Sequence, residues 1–218
     1  YTDIDDKMIK RAAEEGISVA DLAKKIIPEY EQDYGALGIM KPDIIPKATE
    51  HIEEMIELIK RLSEGGYTYV LDDGVYFDVT KFTDYGKLSK QDLEALQMGA
   101  RVEVKESKHS PHDFVLWKFK KEGEPFWKSP WGDGRPGWHI ECSAMTWKHL
   151  GETFDIHGGG LDLTFPHHEC EVAQSQAVFG SQSFARYWLH NGFIQIDNEK
   201  MSKSLGNFFT LKDIFKKY

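Results

Sequence analysis

Apolar residues recur at helical spacing in two segments near the start of the chain. The first covers residues 5–15 and should end at Gly16, because glycine commonly follows the last turn of a helix. The second begins after Ser18, and Asp21 three residues later completes a pattern typical of a capped helix start. Pro28 should bend or shorten this second helix, since proline lacks the backbone N–H that a helix interior uses.

A third helix and a β-hairpin follow. The apolar spacing over residues 48–62 predicts a helix with an acidic outer face. Residues 67–71 and 75–79 are β-prone runs, and they are joined through Asp73-Gly74, a dipeptide favoured in tight hairpin turns. Together these elements indicate a small α+β insertion over residues 36–110.

The second half of the chain alternates helices and strands. A helix over residues 139–150 precedes a strand over 153–157, a glycine loop over 158–160 and a helix over 167–179. Alternation of this kind is typical of an α/β domain with parallel strands.

Composition and charge narrow the function classes. The chain has 218 residues, a formal net charge of -9 and two cysteines. The acidic balance argues against a protein that binds DNA or RNA through a general cationic surface, although a local basic patch can still contact RNA. A secretory signal and an apolar run of transmembrane length are both missing, so we expect a cytoplasmic protein with no membrane partner. The chain opens at Tyr1 and closes inside an amphipathic segment, and we expect both ends to continue in a longer protein.

Metal-ligating residue types cluster in two predicted helices. His167 and Glu171 are four residues apart, so they face the same way on a helix and could bind one metal ion. Cys142 is the obvious thiolate donor from the other helix, while Cys170 projects from a different face than the His167/Glu171 pair. Spacing alone leaves a rival set open, in which His139, Cys142, His167 and Cys170 bind the metal. It also leaves open that these histidines cap helices and the cysteines pack as small apolar groups.

Two further segments could contact a nucleotide. Gly158 to Gly160 would let the backbone approach a ligand closely, and Asp162 just beyond could bind a ribose hydroxyl. Lys200 and Lys203, with two serines between and after them, could bind a polyphosphate and neutralise the charge of departing pyrophosphate. The alternative for the second segment is an exposed turn with solvated lysines. Neither segment matches the Walker P-loop or the dinucleotide-binding pattern.

Several strings resemble the cysteinyl-tRNA synthetase family. The segment 200–204, Lys-Met-Ser-Lys-Ser, is identical to the signature loop of class I aminoacyl-tRNA synthetases. The resemblance to cysteinyl-tRNA synthetases rests on four further segments, namely 2–7, 113–118, 134–142 and 165–169. It therefore runs nearly from end to end of the chain.

The resemblance implies an α/β fold, a class I Rossmann-type catalytic domain with a small α+β connective insertion. Residues 1–35 would end the first half of that domain, residues 36–110 would form the insertion, and residues 111–218 would form the second half. This last part would include the zinc site and the Lys-Met-Ser-Lys-Ser loop.

The resemblance also implies one zinc ion per chain, bound by Cys142, His167 and Glu171. The family's fourth ligand is a cysteine near a His-Ile-Gly-His motif, and neither is present in this sequence. Both would precede Tyr1, and the anticodon-binding domain would follow Tyr218. We therefore expect the 218-residue chain alone to be inactive.

The implied reaction joins cysteine to tRNA(Cys) in two steps, through cysteinyl-adenylate. ATP is the nucleotide substrate, and Mg²⁺ accompanies it. The remaining implied roles are pyrophosphate stabilisation by Lys203 and Lys200, adenosine binding by Gly159, Gly160, Asp162 and Lys203, and a cysteine pocket of Thr2, Trp138, His139 and His168. Two alternatives remain at this stage. One is the cysteine ligase of mycothiol biosynthesis, which uses an amino-sugar acceptor, and the other is a non-catalytic zinc-binding scaffold.

Overall fold

A computed structural model describes residues 1–91, 107–202 and 204–217. Helices α1 (Asp6–Glu15) and α2 (Val19–Ala36) confirm the first two predicted helices. The Asp5 side chain accepts from the backbone N–H of Met8 at the start of α1, and Ser18 accepts from Asp21 at the start of α2.

Helix α2 continues through Pro28 to Ala36, so of the two predicted effects of this proline, bending or shortening, the shortening is wrong. The carbonyl of Lys24 loses its helical partner at this proline, and Lys24 is exposed, so water can satisfy it.

Helix α3 (Ile52–Glu64) starts later than predicted, because residues Ala48–Glu50 form a separate 3-10 turn. His51 divides the two elements with a backbone at φ -128° and ψ 25°, outside the helical region. Its ring contacts the carbonyl of Lys47 at 2.7 Å and the ring of His149 at 2.8 Å.

Four strands form an antiparallel sheet in chain order. They are β1 (Thr68–Leu71), β2 (Gly74–Phe77), β3 (Phe114–Phe119) and β4 (Gly134–Pro136). The hairpin is confirmed, but its turn residues are 72 and 73, because Leu71 pairs with Gly74. Gly74 is needed at the start of β2 for another reason: a Cβ there would lie 2.3 Å from the Trp117 carbonyl oxygen on β3.

The core lies between this sheet and three helices. Helices α4 (Trp138–Leu150) and α5 (Glu169–Phe179) join α3 on the sheet. Fully buried apolar side chains from the sheet and from all three helices meet there, among them Met55, Leu58, Ile59, Leu62, Phe77, Leu116, Trp117, Ile140, Ala144 and Ala173. Strands of this sheet come from both sides of residue 110, and the predicted domain division stays a prediction.

A parallel strand pair carries the rest of the second half. Strand β5 (Thr153–Gly160) pairs with β6 (Phe184–Asn191), and α5 lies between them in sequence, as predicted for an α/β unit. The predicted glycine loop is wrong, because Gly158, Gly159 and Gly160 continue β5 and pair with residues 189–191.

The remaining elements are short. Residues Leu161–Leu163 form a 3-10 turn and Thr164–His168 an irregular helical turn, so the regular part of the predicted 167–179 helix starts at Glu169. A small hairpin, β7 (Gln195–Ile196) and β8 (Glu199–Lys200), precedes α6 (Leu211–Lys217). Among the described residues, no helix has the length and apolar character needed to span a membrane.

Candidate metal and substrate site

Helices α4 and α5 bring the three predicted metal ligands together. Cys142 lies on the first turns of α4, His167 precedes α5, and Glu171 lies in its first turn. The Cys142 sulfur, a His167 ring nitrogen and a Glu171 oxygen lie within 4.8 Å of one another. The two helices therefore supply a thiol, an imidazole and a carboxylate to one point.

Glu171 is the buried centre of this cluster, with 0% of its side chain exposed. One oxygen lies 2.6 Å from His167 Nε2 and the other 2.9 Å from His157 Nε2, yet neither contact has the geometry of a good hydrogen bond. Burial by itself raises the pKa of Glu171, but the contacts with His157 and His167 outweigh it and lower the pKa to about 2. An ionised carboxylate thus sits in the interior with lone pairs free for a cation.

His167 is oriented by its neighbours so that one ring nitrogen faces the cluster. Its Nδ1 lies 2.9 Å from His139 Nδ1, and the Trp138 ring stacks on it at 4.1 Å between centroids. Burial, and then the charge of His167, lower the pKa of His139 to about 3, so His139 is neutral and can accept at Nδ1. With its Nδ1–H donated to His139, His167 would keep Nε2, the nitrogen that faces Glu171, available to a metal ion.

These donors fit a zinc ion. Zinc takes sulfur, nitrogen and oxygen ligands of this kind, and a ligating histidine normally donates its other N–H to a neighbour. Burial, and then the charges of Glu171 and Glu141, raise the pKa of the Cys142 thiol well above its usual value. A divalent cation would lower the raised pKa of Cys142, because it favours the thiolate, and it would neutralise the charge of the buried Glu171 carboxylate.

Cys170 lies outside the cluster. It is fully buried, and its sulfur contacts the Tyr85 hydroxyl at 3.3 Å. Among the described residues, one of the two groups that could bind a metal contains Cys142, and neither contains Cys170 or His139, which favours the predicted ligands over the rival set.

Two histidines of the cluster had no place in the predicted site. His157 on β5 contacts Glu171 and, with His168, forms a second possible metal-binding group that shares this carboxylate. His190 on β6 contacts His168 Nδ1 at 2.8 Å. Burial lowers the pKa of His168 to about 4, so this ring is neutral. Only the parallel pairing of β5 with β6 brings these residues together, and no local pattern indicates it.

Thr2 reaches the same region from the start of the chain. Its side chain lies beside the carboxyl group of Glu141, which is buried next to Cys142 on α4. Burial raises the pKa of Glu141 to about 8, and the Thr2 contact partly opposes this shift. Thr2 and Trp138 therefore both contact residues next to the cluster.

The predicted nucleotide residues lie at the C-terminal end of β5. A Cβ at Gly159 would lie 2.9 Å from His168 Cε1, so the glycine lets this strand pass close to the histidines. Asp162 is exposed just beyond the strand. Ligands of α/β folds commonly bind at the carboxyl ends of parallel strands, the position these residues occupy.

The two predicted lysines are placed differently. Lys200 ends the β7–β8 hairpin, and its ammonium lies 3.5 Å from the centre of the Phe193 ring. Lys203 lies outside the described residues.

Comparison with known proteins decides the family. Residues 1–218 match the family described as tRNA synthetases class I (C) catalytic domain. The chain belongs to this family. Three curated relatives called cysteine–tRNA ligase match it over its whole length, with 62% identity in Carboxydothermus hydrogenoformans, 61% in Geobacter metallireducens and 58% in Clostridioides difficile.

The match covers only part of those relatives. The chain spans 47%, 45% and 47% of their lengths, so it corresponds to about half of each. A crystal structure assigned as an arginyl-tRNA synthetase from Campylobacter jejuni has a similar fold, with a TM-score of 0.53 and 14% identity. That similarity covers 91% of this chain and 36% of the other. It agrees with the mixed α/β fold of a class I synthetase catalytic domain.

Proposed function

We propose that this chain is the part of a cysteine–tRNA ligase that selects cysteine and contributes to the ATP site. The observation that carries the proposal is the meeting of Cys142, His167 and Glu171 in the interior, beside Trp138. The curated relatives support it, because those that match at about 60% identity carry this name. They give no support to an amino-sugar acceptor or to a scaffold without activity.

The family-level fold expected here is a Rossmann-type catalytic domain with a connective insertion. The parallel β5–β6 pair with α5 between its strands supports the first part of this expectation. The hairpin β1–β2 lies within residues 36–110, the proposed insertion.

Cysteine would bind against the cluster. Cys142, His167 and Glu171 would hold one zinc ion, which when bound favours a ligand thiolate over the harder hydroxyl of serine. Trp138 and Thr2 would border the pocket, and His139 would keep the His167 ring in the orientation seen here. This discrimination matters because a pocket that reads size alone gains only about 1 to 3 kcal/mol from so small a difference.

ATP, accompanied by Mg²⁺, would bind along the carboxyl end of β5. Gly159 and Gly160 would let the adenosine approach the backbone, and Asp162 is exposed where it could accept from a ribose hydroxyl. Lys203 and Lys200 would offset the charge that develops as cysteine attacks the α-phosphate and pyrophosphate leaves. The terminal adenosine of tRNA(Cys) would then take the cysteinyl group. These roles, and a cytoplasmic location, remain predictions.

The experiment compares two cysteine substitutions in the full-length protein. Cys142→Ala should lose most bound zinc, because it removes the sulfur ligand, and with it cysteine-dependent exchange of pyrophosphate into ATP. Cys170→Ser is the matched control and should keep both, since its side chain contacts Tyr85 outside the cluster. Zinc is measured by atomic emission, and exchange is assayed with cysteine and with serine.

Three results would contradict the proposal. Full zinc content in Cys142→Ala would remove that residue from the ligands. Loss of zinc in Cys170→Ser would favour the rival set. An unsubstituted protein that catalyses no cysteine-dependent exchange would contradict the ligase assignment itself.

A further inference from the structure

Gln174 connects the two helices that hold the cluster. It lies on α5, three residues after Glu171, and 0% of it is exposed. Its Nε2 donates to the backbone carbonyl of His139 at 2.9 Å and to the Ser143 hydroxyl at 3.1 Å. These two acceptors lie on α4 on either side of Cys142 in sequence.

The bridge returns to α5 through Ser143. The Ser143 hydroxyl donates to the backbone carbonyl of Glu171 at 3.4 Å, so Ser143 both accepts from Gln174 and donates to the residue that carries the carboxylate. The polar contacts thus form a closed path from Glu171 through α5 to Gln174, across to α4, and back. Glu171 belongs to this path, and Cys142 lies on α4 between its two contact points, His139 and Ser143.

The surroundings make a purely space-filling role for Gln174 a poor explanation. A buried amide costs free energy unless its groups are hydrogen-bonded, and Gln174 Oε1 has no hydrogen-bond partner among the described residues. A methionine of similar length would fill the same volume without that cost. Its donor contacts, by contrast, fix how α4 lies along α5, which an apolar contact specifies less well.

We propose that Gln174 is a positioning residue that holds Cys142 and Glu171 at ligating distance by fixing the register of α4 against α5. The inference rests on the proposed function, in which these two side chains bind zinc. Residues that hydrogen-bond around a metal site commonly change metal affinity by about 10- to 100-fold when they are replaced.

The test replaces Gln174 with methionine in the full-length protein, with Gln176→Met as the matched control. Gln176 lies on the same helix, but its Nε2 donates to the Ser183 carbonyl and not to α4. Zinc affinity is measured by competition with a chromophoric chelator. We expect Gln174→Met to weaken zinc binding by about 10-fold or more and Gln176→Met to leave it unchanged.

A second readout separates positioning from general stability. In protein reconstituted with Co²⁺, the intensity of the thiolate-to-metal charge-transfer band reports how many thiolates bind the metal, so loss of Cys142 as a ligand should weaken the band, and it should do so in Gln174→Met only. The melting temperature of the metal-free protein should stay close to that of the unsubstituted protein, because methionine fills the buried volume.

The outcomes are distinguishable. If the unsubstituted protein binds zinc tightly and Gln174→Met binds it equally well with an unchanged band, the positioning role is overturned while the metal site stands. If the unsubstituted protein binds no zinc, the proposed function fails first. A fall in affinity matched by an equal loss of metal-free stability also overturns the positioning role. If Gln174→Met does not fold, Ser143→Ala is tested in its place. This substitution removes the Ser143 hydroxyl from the bridge and should weaken zinc binding. Unchanged zinc binding in Ser143→Ala would overturn the proposal.

Discussion

The antiparallel sheet and the parallel strand pair differ sharply in how they treat their apolar residues. Every residue of β2 is buried, and Leu116 and Trp117 on β3 are fully enclosed under α3 and α4. On the parallel pair, large apolar side chains are exposed, among them Ile156, Tyr187 and Leu189. Yet the parallel pair carries His157, His190 and the glycine-rich strand end, next to the cluster on α5.

The difference indicates that the two regions have different roles in the chain, and we call this the division between them. The antiparallel sheet contributes most of the buried apolar contacts, so its substitutions should change the free energy of unfolding. The parallel pair positions polar groups around Glu171, and substitutions of its exposed residues should leave that free energy nearly unchanged. Matched changes in the two regions test this division.

The largest contrast is expected from one substitution made in both regions. Leu116→Ala on β3 removes a side chain that is 0% exposed, whereas Leu189→Ala on β6 removes one that is 58% exposed. The first should lower the free energy of unfolding by about 2 to 5 kcal/mol, because it leaves a cavity in the core. The second should change it by less than about 0.5 kcal/mol. Urea unfolding of the 218-residue chain, to which these exposed fractions refer, measures both, and equal losses at the two positions would refute the division.

A smaller contrast is expected at two glycines. A Cβ at Gly137, just before α4, would lie 2.0 Å from the Val115 carbonyl oxygen on β3, so Gly137→Ala must push these segments apart. At Gly158 on β5 the nearest atom would be the Leu189 carbonyl oxygen at 3.5 Å, an ordinary contact. We expect a loss of about 1 to 3 kcal/mol for Gly137→Ala and almost none for Gly158→Ala. Thermal unfolding of both variants measures the contrast, which disappears if Gly137→Ala melts like the unsubstituted protein.

The same contrast explains how much the sequence could predict. Helices α1, α2 and α4 and the β1–β2 hairpin follow from signals a few residues apart, such as Ser18 with Asp21 or the spacing of apolar residues. The i, i+4 spacing predicted that His167 and Glu171 face the same way, with Cys142 as the obvious thiol, but it left open the rival set with His139 and Cys170, and only the family resemblance implied the three ligands together.

The parallel pair was harder to predict because its partners are distant in sequence. Residues 158–160 look like a glycine loop locally, and only pairing with residues 189–191 makes them strand. His157 joins the cluster for the same reason, since its place depends on how β5 lies against α5. His51, which precedes the start of α3 at Ile52, likewise contacts His149, 98 residues away in sequence, and no local pattern indicates this contact.

The smallest contrast concerns two aspartates, one in each region. Asp78, after β2, is buried and accepts from the Thr80 N–H at 3.0 Å and from His109 Nδ1 at 2.9 Å. Burial would raise its pKa, but these contacts outweigh burial and lower the pKa below its ordinary value. A carboxylate with a lowered folded-state pKa stabilises the fold at neutral pH, and this contribution disappears as the pH falls below about 4 through that pKa.

Asp78→Asn should therefore cost about 1 kcal/mol at pH 7, where a charged acceptor is lost, and progressively less in acid. Asp155 on β5 is the control. It forms an ion pair with Arg186 at 3.1 Å, and both side chains of this pair are exposed. Such pairs contribute about 0 to 1 kcal/mol, so Asp155→Asn should have little effect at either pH. Urea unfolding at pH 7 and pH 3 measures the four values. If Asp78→Asn costs as much at pH 3 as at pH 7, its carboxylate charge is not what stabilises the antiparallel region, and only its shape and remaining hydrogen bonds do so.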